Sequence, residues 1–77
     1  MEDLLEQINA SPLPFAAMAS SLIGVYVQGH SNLSVLIPSL ENLINLKLPA
    51  PTWEEIEAKI ALDNLLLEVI KRATTNA

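Results

Sequence analysis

Residues 24–37 read GVYVQGHSNLSVLI, and how this stretch is read decides the fold. It holds both glycines of the chain, its only tyrosine and its only histidine. As a hairpin, the β-prone runs VYVQ and LSVLI would flank the turn sequence GHSN. Two lone strands are marginal in water, however, and the helical phase of residues 15–26 runs straight into the first of them. At about 100° per residue, Phe15, Met18, Ala19, Leu22, Val25 and Tyr26 share one side, with Ile23 at its margin. Ala17, Ser20, Ser21, Gly24 and Gln28 fall opposite, and a two-residue period would have mixed the two groups. The stretch therefore reads as the end of one helix, a loop and the start of another. Gly29 takes the left-handed position past the helix end, His30 follows, and Ser31 or Asn32 caps the next helix. The small side admits two readings: close approach of another helix through Ser20 and Gly24, or a mildly polar exposed face.

Upstream, MEDLLEQIN opens with acids suited to the positive end of a helix and places Leu4, Leu5 and Ile8 together, predicting a short first helix. Ser11 before Pro12 predicts an N-cap and first helical residue, so that the second helix covers about Pro12 to Gln28. Downstream, Leu36, Ile37, Leu40, Leu43 and Ile44 recur at helical spacing, but Pro38 removes a hydrogen bond and predicts a kink or a restart. KLPAPT (47–52) reads as a stiff, extended linker. Thr52 and Glu55 form a capping box, and Glu54 and Glu55 at the start with Lys71 and Arg72 at the end match the helix dipole. The last helix should cover Trp53 to Ala73, followed by a frayed TTNA tail. The expected architecture is all-α: a small three- to four-helix bundle, one domain over residues 1–77, with a kinked or split third helix and a long C-terminal one.

Composition adds a requirement. The chain has 77 residues, 51% of them hydrophobic, and no cysteine to staple it. A domain this small has too much surface to hide so many apolar side chains, so burial against a partner is expected. A homo-oligomer is the simplest solution, a dimer first. In the last helix Trp53, Ile56, Ile60, Leu67 and Ile70 share one side. Leu62, Leu65, Leu66, Val69 and Ala73 cluster roughly opposite, leaving a polar strip of Glu54, Glu57, Asn64, Glu68 and Arg72. An ordinary surface helix carries an apolar stripe of about 100° or a little more, so this one is expected to pack on its own chain and on a partner. The expectation assigns Leu62, Leu65, Leu66, Val69 and Ala73 to the partner, and Ile56, Ile60, Leu67 and Ile70 to the chain's own core.

Charge and motifs exclude several classes. Nine acids against four scattered bases give a net charge of −5, which disfavours nucleic acid, whose phosphates need clustered Lys and Arg. Absence of cysteine fits a reducing compartment, and the acidic start is the opposite of a secretory signal, so a cytoplasmic location is expected. The uncharged run from Gln7 to Leu40 is broken by Pro12, Pro14, Gly24 and Gly29, and its densest apolar part is shorter than the roughly 20 residues a membrane span requires. One histidine and no cysteine are too few ligands for a structural zinc. Glu54, Glu55 and Glu57 crowd a helix start, where they serve capping and solubility. Ser31, His30 and Asp63 supply the letters of a catalytic triad without a nucleophile-elbow motif, and phosphate-cradling glycine loops are absent. Neither catalysis nor a cofactor is expected.

GHS at 29–31 resembles the serine motif of peptidyl carrier proteins, which are also small acidic helical bundles, and LKLPAPTWEEI is similar to the region after their second helix. The resemblance implies a phosphopantetheine arm on Ser31. The chain departs from it at Asn32, where leucine is usual, at Pro38 inside the recognition helix, and in the lack of acids there. The favoured reading is a small acidic helical protein–protein interaction module that self-associates: an adaptor, regulator, inhibitor or assembly subunit. A carrier-like domain modified on Ser31 and a membrane-surface protein are the alternatives.

Overall fold

The computed structural model describes residues 2–75. Four α-helices follow one another: α1 (Glu2–Asn9), α2 (Ala16–Val27), α3 (Leu33–Ile44) and α4 (Trp53–Thr75). Among the described residues there is no strand, so the hairpin over 24–37 does not form. The helices α1 and α2 pack together, α2 packs on α3, and α4 packs on both α3 and α1. All four contribute to one core, whose fully buried large side chains are Ile8, Ile23, Leu36, Leu40, Leu62, Leu66 and Val69.

Helix α1 docks through Leu4 and Ile8, one turn apart on one side. Its acidic first turn faces the end of α4, where Arg72 Nη1 lies 3.3 Å from Asp3 Oδ1. Desolvation pushes the Asp3 carboxyl up, but the hydrogen bonds from Arg72 and from the Leu4 N–H, with the Arg72 charge, outweigh it and hold the group below its ordinary value.

Helix α2 begins at Ala16, later than the Ser11–Pro12 signal implies. Pro14 is the cause, because the residue before a proline is pushed out of the helical region, and Leu13 therefore cannot continue a helix begun at Pro12. Ser11 still organises the entry: its Oγ accepts the Leu13 N–H at 3.3 Å. The buried side of α2 is Ala16, Ala19 and Ile23, whereas Met18 and Val25, expected on the large apolar side, are exposed. A Cβ added at Gly24 would meet nothing within 4 Å, so no helix of the protomer closes on the Ser20–Gly24 side.

The junction after α2 takes the expected form. Gly29 has φ +81°, the Gly29 N–H reaches Tyr26 O at 3.0 Å, and the His30 N–H reaches Val25 O at 3.0 Å. This paired arrangement satisfies two end carbonyls and needs the left-handed glycine. Asn32, one of the two expected caps, occupies the N-cap of α3: it is extended, and its backbone carbonyl accepts from the Val35 and Leu36 N–H groups. Its side chain bonds the Ser34 hydroxyl, not the helix backbone.

Pro38 lies inside an unbroken α3, so the helix is not split. Its missing N–H would have served the Ser34 carbonyl, and both Ser34 and Pro38 are exposed, so water can take that place. Leu36, Leu40 and Leu43 meanwhile fill the buried side. The 45–52 linker is not extended throughout, because Ala50 adopts φ 45°. A left-handed alanine costs roughly 1 kcal/mol or more and bends the chain between α3 and α4.

The capping box of α4 is present in both directions: the Thr52 N–H meets Glu55 Oε1 at 3.0 Å and the Glu55 N–H meets Thr52 Oγ1 at 3.1 Å. The helix continues through Thr75, so half of the expected tail is helical, with Thr74 Oγ1 donating to Ile70 O at 2.9 Å. Asn76 and Ala77, the rest of that tail, and Met1 of the acidic start lie outside the described residues.

Candidate interaction surface

The two apolar sides of α4 largely exchange their expected places, although Ile70 of the side expected inside does pack against the core. Leu62, Leu66, Val69 and Ala73 are buried in the protomer's own core, and Leu65 is half-buried at its edge. The assignment of these five residues to a partner is therefore corrected: no exposed surface of them is left for a second molecule to cover, except part of Leu65. Periodicity places both apolar sides correctly but does not say which one the other helices will cover. Helix α1 settles on the flank of Ala58, Ala61 and Leu65, and α3 on the flank of Lys59 and Ile70. The core lies between them.

What remains outside is the side carrying Trp53, Ile60 and Leu67, which are 80%, 57% and 52% exposed. Ile56 and Ile70 are half-buried along its border. The linker widens the strip at its amino-terminal end, where Leu46, Leu48, Pro51, Ile56 and Ile60 line an open depression of about 230 Å³ with Lys47 and Lys59. Apolar side chains thus cover well over half the circumference of α4, as expected, with the inner portion satisfied and the outer one facing water.

Lys59 stands on the boundary between the two portions. Its Nζ donates to Ile44 O at 2.8 Å and to both Asp63 carboxylate oxygens at 2.7 Å, and it lies 5.9 Å from the centre of the Phe15 ring. One mostly buried ammonium thereby closes a carbonyl at the end of α3, pairs within α4 and touches the residue that precedes α2. The Lys59–Asp63 spacing is a recognisable helical ion pair. The bonds to Ile44 and Phe15 join residues far apart in the sequence and had no local signal.

A second depression, of about 400 Å³, lies between α2 and α3 and is lined by residues including Val25, His30, Ser31 and Val35. His30 and Ser31 meet here, but Asp63 belongs to the Lys59 pair on α4 and is not among the lining residues. The three letters of the triad are not brought to one place. Among the described residues no group of three side chains is arranged to hold a metal, and no helix is long and apolar enough to cross a membrane. Compared with family models, curated proteins and solved structures, the chain matches none.

Proposed function

We propose that this chain is a self-associating protein–protein interaction module, acting by binding and not by catalysis, and that the outer strip of α4 is its contact surface. One observation carries the reading: Trp53, Ile60 and Leu67 are more than half exposed on a single side of a helix whose opposite side already fills the core. Scattered surface leucines need no explanation, but a line of large apolar groups extended by Leu46 and Leu48 of the linker is the kind of surface that marks a contact. Trp is also the residue type most enriched at the energetic centres of interfaces. The cysteine-free composition suits work in a reducing compartment such as the cytoplasm.

Trp53 is the only tryptophan and reports directly on this surface. Its emission, followed over a dilution series beside sedimentation equilibrium, should move to shorter wavelength as the mass rises above that of one chain. A monomer at every concentration, with unchanging solvent-exposed emission, would remove the self-association reading.

A further inference from the structure

We infer that the occupant of the α4 strip is a second copy of this chain, docked with its α4 antiparallel to the first about a two-fold axis at Asn64. The inference deepens the proposed function and rests on it.

The spacing comes first. Trp53, Ile56, Ile60, Asp63, Leu67 and Ile70 follow one another in alternating steps of three and four residues. That is the seam of a coiled-coil pair, which fits a second helix carrying the same repeat. Asp63, its one polar position, is neutralised by Lys59 at 2.7 Å.

The charges choose the orientation. Glu57, Asn64 and Lys71 flank the seam at seven-residue intervals, with Asn64 midway. A two-fold axis at Asn64 sets each Glu57 beside the second copy's Lys71, so one favourable pair occurs twice, as an isologous contact requires. Neither group has an ion-pair partner among the described residues, whereas the other cations of α4 do: Lys59 pairs with Asp63, and Arg72 with Glu68 and Asp3. A parallel pair would set Glu57 level with Glu57 and Lys71 level with Lys71, so that like charges meet at both flanking positions.

Net charge agrees. Glu57, Lys59, Asp63 and Lys71 cancel along α4, and Lys47 adds a positive charge at the linker end of the strip, so the acidic excess of the chain lies elsewhere. Two acidic molecules then meet through sides that carry no net negative charge. The axis also brings Trp53 level with the end of the second copy's α4, within a turn of its Lys71, whose ammonium can cover the indole face.

Charge reversal tests the arrangement. Glu57→Lys and Lys71→Glu should each weaken the dimer about tenfold, since each replaces two attractions by two repulsions. Mixed together they should recover near wild-type affinity as a heterodimer, because the antiparallel register then pairs Lys with Glu at both sites. Because the chain has no cysteine, Asn64→Cys should form a disulfide-linked dimer on mild oxidation. Glu57→Cys alone should not, the two copies of that position being about 20 Å apart along the axis. A wild-type chain that stays monomeric overturns the function and the docking together. A wild-type dimer whose charge variants associate unchanged, alone and mixed, and whose Asn64→Cys form does not cross-link, overturns the antiparallel register and leaves self-association standing.

Discussion

Leu66 and Ile60 lie less than two turns apart on α4 and carry nearly the same apolar volume, yet Leu66 is fully buried and Ile60 is 57% exposed. The difference is not in the residues. Leu66 meets the core supplied by α1, α2 and α3, whereas the side of Ile60 lies beyond the flank that α3 covers. Burial is therefore a property of the neighbours, and a helix with more apolar surface than its own chain covers is divided by topology into an inner, buried side and an outer, exposed one.

The largest effect should come from the inner side. Leu66→Glu places an unpaired charge in a fully buried position, a cost of several kcal/mol against a total stability of roughly 4–11 kcal/mol for a domain of this length. Circular dichroism and a urea melt should find the chain largely unfolded. A cooperative melt near that of the wild type would erase the distinction between the two sides.

Lys59→Met probes the boundary. The Asp63 carboxylate and the Ile44 carbonyl would lose their shared donor, at about 2 kcal/mol, read as a lower urea midpoint with the slope unchanged. A smaller loss should follow Thr52→Ala, which removes the capping hydroxyl and costs about 1 kcal/mol. Hydrogen exchange should locate that fraying in the first turn of α4, around Trp53, while the amides of residues 62–69 stay protected.

Smallest of all is Arg72→Ala, because its pair with Asp3 is exposed to solvent. Asp3 has a lowered carboxyl value in the folded chain, so its contribution is present above the unfolded value and is lost as pH falls through the folded one. The variant and the wild type should therefore melt almost together near neutrality, and any gap should close below about pH 4.

Much of this was legible in the sequence where the signal was local. The Thr52–Glu55 box, the left-handed Gly29 and the breadth of the apolar arc on α4 each depend on residues within a few turns of one another. The late start of α2 was also local, written in Pro14, whose effect on Leu13 outweighs the favourable Ser11–Pro12 pair. The choice between the two sides of α4 was not local. It depends on where α1 and α3 dock, as does the Lys59 bond to Ile44, and neither has a short-range pattern in the chain.

We propose that α4 holds its own fold with one side and a partner with the other, and a charge in the middle of the outer strip should then separate association from folding. Sedimentation equilibrium and circular dichroism on Ile60→Glu read both at once. A helical, cooperatively melting monomer is expected where the wild type is a dimer. Loss of helix in this variant, or a dimer as tight as the wild type, would contradict it.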